Sequence, residues 1–230
     1  MQMNYHEFTD ELVRTLTADP RVLGIVALGS MAARGRQPDR YSDHDFFVIS
    51  AAAVVELRAS TEWLPRREQL ALWFRETPHG CKGVYDDGHL IEYAVFTPDE
   101  LSIARANDYR VLLDRERIEE RMAAIAFPPG SHDLAWLHGM FLSNLLVASQ
   151  RAQRGELASA RWMLAHAMRH LVTLLGGGDD SLDPLRRFDH YALEQAMRLG
   201  PASATRAMLD VYERECNGDP RAIAAVRIAQ

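Results

Sequence analysis

The sequence predicts an α+β protein, with a mixed sheet and helices in the first half and only helices in the second. Three observations lead there. The runs RVLGIVAL (21–28) and HDFFVI (44–49) are short, apolar and bounded by turn residues, as buried strands are. Asp87-Gly88 lies between two further strand-like runs, a strong hairpin signal. After FPPGS at 127–131, apolar residues recur only at helical spacing. A length of 230 residues is enough for two small domains, and the expected division is 1–127 and 131–230.

Taken in order, residues 3–18 read as a helix, because Phe8, Leu12 and Leu16 recur every four residues and Asp19-Pro20 ends the run. The strand at 21–28, a loop at 29–42 and the strand at 44–49 follow. Residues 51–59 and 62–74 read as helical, with Trp73-Phe74 as an alternative strand start. The hairpin spans 82–96. Thr97-Pro98-Asp99-Glu100 then has the form of a helix start, with a capping threonine, proline in the first turn and Glu100 three residues after the cap. The run at 111–113 suggests one more strand and 115–126 a helix. Two prolines and a glycine at 127–131 break the chain. Beyond them, 132–154, 156–175, 189–199 and 201–216 are helical by pattern. Ser131 is placed to cap the first, Gly176-Gly177-Gly178 to stop the second and Pro201 to open the last.

Composition narrows the function. No apolar run approaches the roughly 18–20 residues of a membrane span, and the acidic, polar N-terminus is unlike a secretory signal. Cys81 and Cys216 lack CxxC spacing, so reduced thiols and a cytoplasmic location are expected. A net charge of -6 argues against a nucleic-acid surface. Of the 26 basic residues only Lys82 is a lysine, which reads as genome composition.

Chemistry concentrates in ALGSMAARGRQPDRYSDHDFFVIS, residues 27–50. Side chains alternate along a strand, so Asp43 and Asp45 share a face and His44 points to the other. Two such carboxylates repel in a partly dry site, and a divalent cation offsets that directly. Two cations about 3.5–4 Å apart can clamp a transferring phosphoryl group. Glu92, inside the apolar run HLIEYAVF, is the best further carboxylate, because a buried glutamate is costly unless paired or metal-bound. Gly29 lets backbone approach a phosphate, the Ser30 hydroxyl can bond its oxygens, and Arg34, Arg36 and Arg40 carry forked donors suited to it. A D-x-D pair alone is a weak signal. The Gly-Ser turn, the spacing and the apolar flanks make it a strong one. His132, His138, His166 and His170 have helical spacings but no HExxH pattern, and are expected to be ordinary side chains. Trp136, Met140, Phe141, Leu145, Trp162, Met163 and Leu171 read as core.

A strand, Gly29-Ser30, a spacer of 12 residues (31–42), Asp43-His44-Asp45 and an apolar strand together resemble the signature of the nucleotidyltransferase superfamily related to DNA polymerase beta. With an Arg-bearing loop and a helical second half, the chain looks like the antibiotic nucleotidyltransferases that act on aminoglycosides or lincosamides. The resemblance covers about residues 21–96. It implies a nucleotidyltransferase-type sheet with Gly29 and Ser30 on the triphosphate, while Arg34 and Arg40, read from the loop itself, are either phosphate contacts or loop surface charge. It further implies Asp43 and Asp45 as metal ligands and Glu92 as third ligand or general base. The implied cofactors are two Mg²⁺ ions with ATP or another nucleoside triphosphate as co-substrate. The implied reaction is attack of a small-molecule hydroxyl on the α-phosphorus, with release of pyrophosphate. The expected partner is that acceptor, with no nucleic acid and no membrane, and the protein a monomer or homodimer. The rival readings are a protein-modifying enzyme that adenylylates a toxin and a non-catalytic nucleotide-binding regulator.

Overall fold

In the computed structural model, residues 4–33, 37–39, 42–51, 53–106, 108–125, 133–177, 195 and 197–228 are described. The chain divides into two compact units, Met1–Phe127 and Pro128–Gln230, each with its own core.

The first unit is built on a six-stranded mixed sheet. Its strands are β1 (Val22–Leu28), β2 (His44–Ser50), β3 (Leu70–Arg75), β4 (Gly80–Tyr85), β5 (Leu90–Phe96) and β6 (Tyr109–Asp114). They lie in the order β3-β4-β5-β2-β1-β6. β1 pairs antiparallel with both β2 and β6, while β2 runs parallel to β5. The centre, β2, is buried on both faces from Phe46 to Ser50, which is why it reads as a continuous apolar run.

Helix α1 (Tyr5–Ala18) is held at its start by Asn4, whose side chain accepts from the His6 and Glu7 amides at 3.1 and 3.3 Å. A helix of this length is marginal alone. Phe8, Leu12 and Leu16 are almost wholly buried against the sheet, at about 1.5–3 kcal/mol each. They meet Ile25, Ala27, Phe46, Val48, Ile91 and Tyr93 on one face. On the other face Val26, Phe47, Ile49 and Phe96 pack with Leu101, Ile118 and Met122. Two short helices, α2 (Gly29–Ala32) and α3 (Val54–Ala59), flank β2, and α4 (Ile118–Ala123) follows β6.

Two local expectations change. The helix read over 62–74 is instead a series of turns, a 3-10 turn at Arg67–Gln69 and the edge strand β3. Tertiary pairing with β4 overrides a weak helical pattern. The helix start at Thr97 is realised as a 3-10 turn, Glu100–Ile103. Its capping box is nevertheless present: the Thr97 amide donates to Glu100 Oε2 at 2.8 Å and the Glu100 amide to Thr97 Oγ1 at 3.2 Å.

The second unit is helical in its described residues: α5 (Leu134–Gln153), α6 (Leu157–Val172), α7 (Pro201–Glu215) and α8 (Pro220–Ile228), with a π turn at Thr173–Gly177 closing α6. Asp133 caps α5, accepting from the Ala135 amide at 2.9 Å. Gly176 takes φ +92, the left-handed geometry that ends a helix. Pro201 opens α7 as expected, and α8 is an addition the pattern did not suggest. Phe141, Leu145, Leu164, Met168, Leu209 and Tyr212 form the core, with the Tyr212 hydroxyl 2.6 Å from His138 Nδ1. Trp136 and Trp162, expected in the core, are 49% and 67% exposed. The break at 127–131, the cap Ser131, His132 and most of the helix expected at 189–199 lie outside the described residues.

Candidate active site

The Gly-Ser turn and the aspartates are neighbours because β1 runs antiparallel to β2. Ala27 pairs with Phe46, so the end of β1 lies beside the start of β2. Gly29 follows directly, with its amide donating to the Asp108 carbonyl at 3.1 Å, which ties the turn to the approach of β6. A Cβ at position 29 would stand 3.3 Å from Asp45 Oδ2, and Gly29 has φ +50. Glycine is favoured there on both counts, since a side chain would be strained and would press on the carboxylate.

Two hydroxyls converge on the residue before β2. Ser30 Oγ donates to the Asp43 carbonyl at 3.5 Å, and the Tyr5 hydroxyl donates to the same oxygen at 3.2 Å. Burial pushes the Tyr5 phenol up to about 12; a bond with Ser30 opposes this, while the charges of Asp45 and Asp43 add to it. The phenol therefore stays protonated and acts as a donor through the neutral range. Both aspartate charges thus lie close to one hydroxyl. Arg110 is on β6 opposite Ala27 and bonds the Met31 carbonyl at 3.3 Å. Its charge also reaches Tyr5.

Glu92 lies on β5 in register with Asp45 on β2. Directly paired residues share a face, and adjacent strands are about 4.8 Å apart. Lys82 is the β4 partner of Glu92, and Phe74 the β3 partner of Lys82. One transverse row therefore runs Asp45, Glu92, Lys82, Phe74 across the sheet. Lys82 Nζ is 3.1 Å from Glu92 Oε1 and 3.1 Å from Glu76 Oε1. Partial burial pulls the Lys82 ammonium down, but its bonds to the two glutamates outweigh this and its pKa is raised.

His44 faces away from the row, as the alternation requires. It is completely buried, with Nε2 2.8 Å from Thr9 Oγ1 and Nδ1 2.7 Å from His89 Nε2. Its ring stacks on Tyr5 with centroids 3.9 Å apart. Burial, reinforced by His89, drives its pKa down from 6.5 to about 3, so it is a neutral strut under the site.

Gly29, Ser30, Asp43 and Asp45 are thus together, with Glu92 one strand away. Arg34, Arg36 and Arg40 lie outside the described residues. Tyr5 and Arg110 are additions that sequence reading did not find. Neither carries a local motif, and both reach the site only through packing and pairing. Among the described residues no three His, Cys, Asp or Glu side chains lie together as a ready metal cage. The donor chemistry still suits Mg²⁺, which is ordinarily held by one or two carboxylates plus substrate phosphates and water.

No protein-family model matches the chain, and no curated protein matches it. A similar solved structure is an aminoglycoside 6-adenyltransferase from Bacillus subtilis. It is 12% identical, with a TM-score of 0.38, over 99% of this chain and 93% of that one. Likeness that loose fixes neither a topology nor a site. No helix among the described residues is long and apolar enough to cross a membrane.

Proposed function

We propose that the chain is a metal-dependent nucleotidyltransferase that moves a nucleoside monophosphate, AMP from ATP in the first instance, onto a hydroxyl of a small molecule. The observation that carries this reading is the placement of Asp45 beside the Gly29 turn, where a Cβ on residue 29 would stand 3.3 Å from Asp45 Oδ2, with Glu92 in register beside it. A carboxylate beside a glycine turn offers a phosphate and its cation a ligand on one side and bare backbone on the other.

In this reading Asp43 and Asp45 would hold Mg²⁺, two ions with the nucleotide, whose chemistry would be to neutralise phosphate charge and lower the proton affinity of the acceptor oxygen. The Gly29 turn lets the triphosphate lie against backbone, and Ser30 bonds its oxygens. Arg110, beside the turn, takes its outer charge together with Arg34 and Arg40. The acceptor hydroxyl attacks the α-phosphorus, its proton passes to Glu92 and the bond to pyrophosphate breaks. Positioning accounts for the remainder of the rate. The helical residues 131–230 are assigned to acceptor selection, with aminoglycosides and lincosamides as the first classes to try.

Pyrophosphate release from ATP and Mg²⁺ over a panel of those compounds tests the proposal. Turnover on at least one acceptor, lost in Asp45→Asn, is the expected result. Wild-type turnover in that variant would overturn the assignment.

A further inference from the structure

A bias toward arginine explains why 25 of the 26 basic residues are Arg. It does not explain why position 82 alone keeps a lysine. That residue stands next to Glu92 in the row that begins at Asp45, and its single nitrogen bridges two carboxylates at 3.1 Å each, Glu76 and Glu92. The two side-chain types differ in how they meet such a pair. An ammonium is a compact point charge whose three protons diverge, so it can serve two separate carboxylates at once. A guanidinium is a planar fork that prefers to grip one carboxylate with two parallel bonds. Arginine can also span two acids, as Arg227 does with Asp210 and Glu213, but its longer, planar head would set the two carboxylates at a different spacing, so Lys82→Arg keeps the charge and moves Glu92.

We propose that Lys82 is a positioning residue for Glu92, and that the position demands an ammonium. The inference rests on the nucleotidyltransferase reading of the site. Asp45 and Glu92 are like charges on adjacent strands, and something must hold Glu92 in place before a cation arrives. Lys82 does this from the side away from Asp45. It draws the Glu92 carboxylate toward β4 and out of a closed cage with the aspartates. The same ammonium opposes metal at the outer edge of the site. It thus confines the cation to Asp43 and Asp45 and leaves Glu92 available for the acceptor's proton.

The test uses the full chain with Mn²⁺ as the probe, its binding followed by electron paramagnetic resonance, beside pyrophosphate release on the responsive acceptor. Lys82→Met is expected to bind Mn²⁺ about 3- to 10-fold more tightly, because a cation has been removed from its surroundings. Turnover in that variant is expected to fall about 10- to 100-fold, with nucleotide KM little changed. Lys82→Arg should not restore turnover. Opposite signs for metal affinity and rate are not what a merely structural lysine produces. Unchanged Mn²⁺ affinity in Lys82→Met, or wild-type turnover in Lys82→Arg, would overturn the proposal. Should Lys82→Met fail to fold, Lys82→Gln carries the same test. Asp45→Asn separates the two levels. It must lose Mn²⁺ binding, and if it does not, the reading of the site fails and the role of Lys82 with it.

Discussion

Asp45 and Glu92 are register partners on adjacent parallel strands, β2 and β5. They come from stretches far apart in the chain, and the sheet sets them side by side on one face. Asp45→Asn and Glu92→Gln therefore have different expected outcomes. Asn at 45 should abolish turnover and metal binding. Gln at 92 should keep Mn²⁺ binding and lose about 10²- to 10⁴-fold in rate, the range for a missing general base. Calorimetry and a pyrophosphate assay on both variants check this. Loss of Mn²⁺ binding in Glu92→Gln would instead make Glu92 a ligand.

Gly29→Ala places a methyl group 3.3 Å from Asp45 Oδ2 on a backbone with φ +50. The strain is about 1–2 kcal/mol, and the displaced carboxylate should weaken MgATP binding. Urea unfolding and isothermal titration measure the two effects. An alanine variant with wild-type stability and affinity would show that the turn has room to spare.

Tyr5→Phe removes one of the two hydroxyls that donate to the Asp43 carbonyl. The expected loss is about 1 kcal/mol of stability. The entry into β2 loosens as well, so Mn²⁺ affinity should fall while the acceptor KM stays put. Ser30→Ala should act on the same oxygen and be less than additive with Tyr5→Phe in a double-mutant cycle.

Stability should depend on pH through His44. Its folded pKa lies near 3, against an ordinary 6.5. Between those values the unfolded chain takes up a proton that the folded protein refuses. The contribution is therefore complete above about pH 6.5 and is lost as pH falls toward 3. From pH 7 to pH 5 the loss is about 2 kcal/mol from His44. His89, lowered chiefly by burial, changes stability in the same direction, with Asp87 and Asp43 opposing it. Denaturant midpoints at pH 7 and pH 5 read this directly, and His44→Asn should flatten the difference.

How far the sequence is legible depends on whether a feature is local. The strands at Val22–Leu28 and His44–Ser50 are buried on both sides, and burial writes itself as apolar runs. The hairpin announces itself through Asp87-Gly88, and Gly29-Ser30 with Asp43 and Asp45 through spacing. β3 showed in the sequence only as an alternative strand start at Trp73-Phe74 because it is a sheet edge: Leu72 and Phe74 are 51% and 43% exposed, so burial leaves no alternation to find. The exposed Trp136 and Trp162 mislead for the opposite reason, as large apolar residues are taken for core until their surroundings are known.

By itself, then, the sequence determined the α+β division, the central strands and the chemical character of the segment 29–45, because each depends on residue types a few positions apart. Only the tertiary structure decided that Glu92 stands beside Asp45, that Lys82 bridges Glu92 to Glu76, and that Tyr5 and Arg110 border the turn. Those relations are set by strand order and register and by the seating of α1 on the sheet. Such pairings join segments distant in the chain, and local propensity holds no record of them.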